Sequence, residues 1–352
     1  MKDIVPFLKT MLSAPGLSGF ERPICEIIQK EWQPLADEVS LSRLGSLHAL
    51  KRGDGPEPRR KVLLSAHMDA IGLMVTGIAD GFIRFTEVGG IDSRILPGQL
   101  VTVHGKKDMP GIVALPPKFL LPDGAGDGAV EVQYLYVDTG LREDEVLENV
   151  RLGDPISYAS VPTELSGETL SGHTLDNRVS VAAVTICLEH LQRRLHAWDV
   201  WAVASTQEEE TLGGALTSPY EIRPDLAIVV DVTFAKGPGG ADWRSFPLGK
   251  GLTLASGPNM HPAMFKAIQK KADELEMPYH KEVAPRMSGT DAMGVQVVRE
   301  GIPCIVLGIP LCYMHTPVET VSLKDIKRVG RLMAEFIGDL DADFVEKINW
   351  EE

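Results

Sequence analysis

From about residue 71 to 165 the chain shows little helical periodicity and breaks into short β-rich pieces, Phe82-Ile-Arg-Phe85, Leu100-Val-Thr-Val103 and Val132-Gln-Tyr-Leu-Tyr-Val137, separated by many Gly and Pro residues. On both sides of that stretch, strand and helix signals alternate. Alternation of the two element types indicates a mixed α/β sheet, and a run of short strands between its halves reads as a small inserted β-barrel or sandwich. The 352 residues also exceed a typical single core, and length alone implies about two or three domains. The expected division is residues 1–70 with 166–352 as an α/β domain and 71–165 as the insertion, with a soft boundary near Val161-Pro-Thr163.

The α/β halves follow from local patterns. Residues 3–13 and about 21–33 read as helices, and a polar hairpin-like stretch through Gly45 and Arg52-Gly-Asp-Gly55 leads to Lys61-Val-Leu-Leu-Ser-Ala66. That last run is continuously apolar, as in a strand covered on both faces. Arg178 to Leu195 is apolar over nearly its whole first half, the pattern of a helix buried against a sheet. Strands are expected at 199–205, 226–231, 251–255, 278–283 and 302–307, with helices at 262–276 and 322–342.

A formal net charge of −14 argues against general nucleic-acid affinity. It also leaves room for a carboxylate-rich cation site. The first residues, with Asp3 and Lys9 interrupting the apolar positions, resemble a short amphipathic helix rather than a signal segment, and no apolar run reaches the roughly 18 to 20 residues of a membrane span. Cys25, Cys187, Cys304 and Cys312 are scattered without a CxxC pair, which suits buried thiols in a reducing compartment. The expected location is cytoplasmic, with no membrane partner.

Ligand-type residues fall at element ends. His67-Met-Asp69 follows one strand, Asp176 precedes the buried helix, Glu208-Glu209 follows another strand, Asp231 ends Leu226-Ala-Ile-Val-Val230, and His315 follows Val306 to Pro310. In open α/β sheets binding crevices form beyond strand ends, so these residues are candidates for convergence. Each also has a plainer reading. His67 and Asp69 lie on one face and suit either a structural pair or a metal ligand with its orienting acceptor; Asp176 reads first as a helix N-cap; Asp231 suits the start of a loop and His315 a surface turn. His173, His190, His196, His261 and His280 have no comparable setting.

The run Ser205-Thr-Gln-Glu-Glu-Glu-Thr-Leu-Gly-Gly-Ala215 places three glutamates in succession. Like charges that close require open solvent or a cation. The following glycines imply close backbone packing, and adjacent carboxylates point in different directions, so one can bind a metal while its neighbour stays free. A metallohydrolase needs that division, because a metal-bound carboxylate is a poor base and a separate one must take the proton from water.

Taken in order, Ser65-Ala-His-Met-Asp69, Leu175-Asp-Asn-Arg178, Gln207-Glu-Glu209, Asp231-Val-Thr233, Gly289-Thr-Asp291 and Met314-His-Thr-Pro-Val-Glu319 resemble the motifs of the TET-type dinuclear metallo-aminopeptidases, metallopeptidase family 42. Gly89-Gly-Ile91, Leu96-Pro-Gly98, Leu248-Gly-Lys-Gly251 and Gly257-Pro-Asn-Met260 extend the likeness over nearly the whole chain. The resemblance implies an α/β catalytic domain of the zinc aminopeptidase type, interrupted by a β-barrel-like dimerisation domain. It implies that Asp176 bridges two divalent ions, Zn or Co, that His67 and Asp231 complete one site, and that Glu209 and His315 complete the other. Glu208 becomes the general base, Asp69 orients His67, and backbone near Gly289, Thr290 and Asp291 with the loop before Tyr313 lines the substrate pocket. Members remove N-terminal residues from peptides and assemble as dimers into hollow dodecamers.

Ala70, Thr211, Gly213 and Cys312 depart from the family pattern, and Glu210 stands where an apolar residue is common. Glu210 is assigned to solvent or a local ion pair. Alternative readings are a deacylase with the same metals, a glycoside hydrolase splitting acid and nucleophile between two carboxylates, and a catalytically silent metal-binding shell protein.

Overall fold

The structure, a computed structural model, describes residues 3–125, 128–238 and 243–350. Its centre is built from the apolar runs Lys61–His67, Asp199–Ser205, Leu226–Phe234 and Cys304–Cys312. They pair in parallel, with Lys61–His67 between Asp199–Ser205 and Leu226–Phe234, and Cys304–Cys312 beyond the latter. Buried on both faces, such strands need no polar alternation, and theirs is nearly absent.

One face is covered by Leu175–Leu191 and Leu323–Gly338, the other by Gly213–Ile222 and Ala292–Gln296. Antiparallel flanks complete an eleven-stranded mixed sheet among the described residues. On one side Leu47–Lys51 joins Asp199–Ser205 and carries the hairpin partner Glu38–Leu41. On the other, Cys304–Cys312 receives Leu252–Ser256, which pairs in parallel with Tyr279–Val283, and Glu319–Ser322, followed by Thr169–Gly172 and Thr163–Leu165.

The inserted segment closes a barrel in the order Gly72–Ala79, Phe82–Val88, Tyr136–Asp138, Asp108–Ala114, Leu100–His104 and Pro155–Tyr158. Alternate residues point inward, and Ile83, Phe85, Val101, Val103, Val113, Val137 and Ile156 form a separate core. Thus an α/β domain carries an inserted small barrel.

Several local expectations change. Val132–Tyr134 is a 3-10 turn, so only Tyr136–Asp138 of that piece is strand. Asp108–Ala114 contains Pro110 and Gly111, which hide a strand in sequence, and Glu143–Asn149 is a helix too short to show periodicity, with Val146 its one buried residue. Thr163–Leu165, grouped with the insertion by composition, pairs in the large sheet. The buried helix ends at Leu191 rather than Leu195, where Gln192 and Arg193 turn to solvent. All four cysteines are buried and free.

Candidate metal centre and active site

The parallel strands deliver their side chains at the carboxyl edge of the sheet. His67 ends one strand, and Asp231 lies on the next, two residues beyond the buried Val229 and on its face. Ser205 ends a third strand. Gln207 then adopts a left-handed conformation (φ 60°) that turns the chain sharply before the Glu208–Thr211 helical turn.

Asp176 arrives by a different route. Although its segment precedes a helix, Asp176 (φ −76°, ψ 105°) and Asn177 (φ −122°, ψ 32°) are not helical, and the peptide bond between them is cis. No side chain caps this helix start, so the N-cap reading does not hold. The Asn177 amide instead donates to the Val230 carbonyl at 3.0 Å, while the Asp176 carboxylate divides between two imidazoles. Its Oδ1 lies 3.2 Å from His67 Nε2 and its Oδ2 lies 3.4 Å from His315 Nε2.

Around this bridge the remaining candidates gather. Asp231 Oδ1 and Glu208 Oε2 each stand 3.8 Å from His67 Nε2, and Glu209 Oε2 stands 3.5 Å from His315 Nε2. Donor atoms of His67, Asp176 and Asp231 lie within 4.8 Å of one another, as do those of Asp176, Glu209 and His315, and those of His67, Glu208 and Glu209. The first two sets share Asp176.

The second imidazole nitrogens are also held. His67 Nδ1 lies 3.2 Å from the Asp69 carbonyl and 3.5 Å from its Oδ1. The Asp69 carboxylate accepts the backbone N–H groups of Glu208 (3.0 Å) and Glu209 (3.2 Å), so one buried side chain both faces His67 and fixes the glutamate turn. His315 Nδ1 bonds the Gly90 carbonyl at 2.8 Å. Gly90 belongs to the inserted segment, and a Cβ there would stand 3.1 Å from that nitrogen, so glycine permits the approach.

Glu210 is exposed, in line with its assignment to solvent, and its carboxylate also accepts the Gly89 N–H at 2.6 Å. The three successive glutamates thus face His67, His315 and the barrel respectively.

Further residues support the cluster without having been singled out by sequence. Glu21 accepts the N–H groups of Gly19 (2.8 Å) and Gln207 (3.0 Å), tying the first helices to the glutamate turn. Glu319 accepts those of Asp176 (3.1 Å) and His315 (2.9 Å). Arg178 is fully buried, donates to the carbonyls of Met11 and Ala14, and lies within electrostatic reach of Asp69 and Glu319. Arg178 and Glu319 stood inside quoted motifs, but a buried polar residue has no pattern that separates it from a surface one.

Gly289, Thr290 and Asp291 divide. Asp291 is buried, accepts hydroxyl bonds from Ser65 and Ser205, and lies within electrostatic reach of His67 and Glu208. Thr290 shares a 2.8 Å hydroxyl contact with Ser288, and Gly289 has φ 64°. Tyr313 is exposed and left-handed (φ 60°). Ala70 is buried, its N–H bonded to Gly16 at 3.0 Å, where a longer acidic side chain would be desolvated. His173 is buried against Tyr158 at 4.8 Å between ring centroids, apart from the metal-ligand sets.

Charge crowding shows in the proton affinities. Burial first, with Asp176 nearby, pushes the Glu209 carboxyl up to about 8. Burial, with Asp291, Asp176 and Asp69 outweighing the opposing His67, carries Glu208 to about 7. Burial alone would lower His67, yet Glu208, Asp176, Asp69 and Asp231 raise it well above an ordinary imidazole. His315 reaches about 9 for the same reason, against burial and through Asp176 and Glu209. The Asp176 carboxyl goes the other way: against its burial, His315 and His67 hold it below the ordinary carboxylate range. Two imidazoles among so many crowded carboxylates form a set short of positive charge, and mixed N and O donors of this kind suit Zn or a similar divalent ion. The residues therefore fit a pair of cations.

Known proteins identify the family by independent routes. The family model for the M42 glutamyl aminopeptidases matches residues 45–332. The chain is 33% identical to the lysyl aminopeptidase of Pyrococcus furiosus, over 95% of this chain and 96% of that protein. Its fold superposes on a TET aminopeptidase from a marine-sediment Thaumarchaeota archaeon with a TM-score of 0.91 at 30% identity, covering 97% of this chain and 98% of that one. It also matches the Pyrococcus horikoshii TET1 peptidase, described as assembling into a tetrahedron or a large octahedral shell, with a TM-score of 0.83 at 26% identity over 96% of this chain and all of that one. With the motifs, the interrupted α/β fold and these likenesses in agreement, the chain belongs to the M42 glutamyl aminopeptidase family of TET-type peptidases and is an aminopeptidase.

Proposed function

We propose that the chain removes N-terminal residues from peptides with two divalent ions, Zn or Co, held by His67, Asp176 and Asp231 on one side and by Asp176, Glu209 and His315 on the other. The observation that carries this reading is Asp176, whose two oxygens lie 3.2 and 3.4 Å from two different imidazoles. Bound there, the ions supply Lewis acidity toward the scissile carbonyl and the attacking water. The protein's own groups do the rest. Glu208, outside both sets that share Asp176, accepts the proton of the attacking water and returns it to the departing amine. Asp69 keeps the Glu208 and Glu209 amides and the His67 ring in place. Asp291 is buried nearby, and its charge adds to burial in raising the proton affinity of Glu208. Backbone at Gly289 and Thr290, with Tyr313, is the proposed wall for the peptide's first side chain.

The test is a panel of aminoacyl nitroanilides assayed with Zn or Co added. Hydrolysis of at least one substrate, abolished by a chelator and restored by either ion, is the expected result. A metal-replete, folded chain inactive on the entire panel refutes it. The same panel, extended to N-acyl substrates, separates aminopeptidase from deacylase. Glycoside hydrolysis is not favoured, since the two imidazoles at the centre have no role in it.

The barrel is the proposed dimerisation domain and a dodecamer the proposed assembly. Leu100 and Ile112 are cross-strand neighbours on the outer barrel surface and both exposed, an apolar pair suited to burial against another copy. The checking measurement is native mass in solution, expected near twelve times the 38.3 kDa chain. A monomer at working concentration rejects the assembly. Four free buried thiols support a cytoplasmic setting. Among the described residues no helix is long and apolar enough to cross a membrane.

A further inference from the structure

Asp176 and His315 reach the cluster on irregular backbone. Asp176 precedes the helix in a non-helical conformation, and His315 lies in a turn where both it (φ 62°) and Tyr313 (φ 60°) are left-handed. Non-glycine residues occupy that region at a cost and persist there only when neighbours hold them. Glu319 is the shared neighbour. Its side chain is 1% exposed, its Oε2 accepts the Asp176 N–H at 3.1 Å and its Oε1 accepts the His315 N–H at 2.9 Å.

Glu319 is itself well anchored. It begins the Glu319–Ser322 strand, opposite Gly172 on one side, while Val321 of the same strand faces Leu311 on the other. Those two partner strands lead directly into Asp176 and His315. By contrast, His67 and Asp231 ride on parallel strands whose positions are set by the sheet's own ladder.

We propose that Glu319 is a positioning residue that sets the affinity of the second metal site, built by Asp176, Glu209 and His315, with little effect on the first. The proposal rests on the two-metal reading above. Glu319 belongs to none of the ligand sets; it acts through the backbone of one shared ligand and one ligand exclusive to the second site. Loss of its grip leaves the first site with two strand-borne ligands in place and deprives the second of its fixed imidazole. Partners of this outer kind cost about 10- to 100-fold in metal affinity when removed.

The experiment titrates the full-length apo-protein with Co, following visible absorption and calorimetry, in wild type, Glu319→Gln, His315→Ala and the double variant. Glutamine keeps the size of Glu319, but its NH2 cannot accept the second N–H. The expected result is a first equivalent bound as in wild type, a second weakened about 10- to 100-fold, and a double variant no worse at the second site than His315→Ala. Two equivalents binding Glu319→Gln with wild-type affinities overturn the proposal while leaving the two-metal reading intact. Equal weakening of both equivalents, or a variant unfolded before metal is added, also overturns it, because the role is then general support. A wild-type chain that takes up a single equivalent removes the two-metal reading and this proposal together.

Discussion

Replacing Glu208 by glutamine lowers turnover by at least about 10²-fold while metal content and melting temperature stay at wild-type values. The expectation follows from how the glutamate turn is held. The turn is fixed through its backbone, with the Glu208 and Glu209 amides bonded to Asp69 and the Gln207 amide bonded to Glu21. Changing the Glu208 side chain therefore leaves its neighbour's carboxylate where it was. The amide retains the shape of the carboxylate but cannot accept a proton at working pH. Turnover and metal content, by elemental analysis, must be measured together. Loss of metal in the variant makes Glu208 a ligand, which its third-set position beside His67 and Glu209 allows, and near-normal turnover removes it from the reaction.

The second large effect belongs to Asp176. Substitution by alanine is expected to take bound metal from two equivalents toward none and activity to background, whereas Asp231→Ala weakens chiefly the site shared with His67. The difference is geometric. Asp231 faces His67 alone among the imidazoles, at 3.8 Å, while Asp176 has one oxygen toward each. Two cations placed close together repel each other, and a bridging carboxylate supplies the negative charge between them. Elemental analysis after dialysis against a fixed low metal concentration checks this. Asp176→Ala protein that retains either equivalent at full affinity shows that Asp176 does not bridge.

Much of this centre was legible before the fold was known, for a physical reason. Parallel strands buried on both faces leave only their ends for polar chemistry, so His67, Glu208, Glu209 and Asp231 stood out against apolar runs. Asp176 and His315 were weaker signals because a carboxylate before a helix and a histidine in a turn have common local uses. Their place at element ends made them candidates for convergence with the others, and the resemblance supplied their roles. The Gly213–Ile222 helix was hidden by its two leading glycines and Pro219, and Glu319–Ser322 by its brevity. Glu210 is exposed, as expected, but its bond to a backbone N–H lying 121 positions away in the inserted segment left no sign in the sequence. Sequence spacing carries charge and period, but it carries no record of which amide a carboxylate will meet.

The carbonyl of Gly90 gives the insertion a meaning beyond assembly. His315 takes its orientation from a residue 225 positions earlier, in the inserted segment, and the neighbouring Gly89 is held by the glutamate run itself. Barrel and sheet are therefore joined at the cluster as well as through the chain. A graft that exchanges the barrel for a relative's is at the same time an edit to the surroundings of His315 and the glutamate turn.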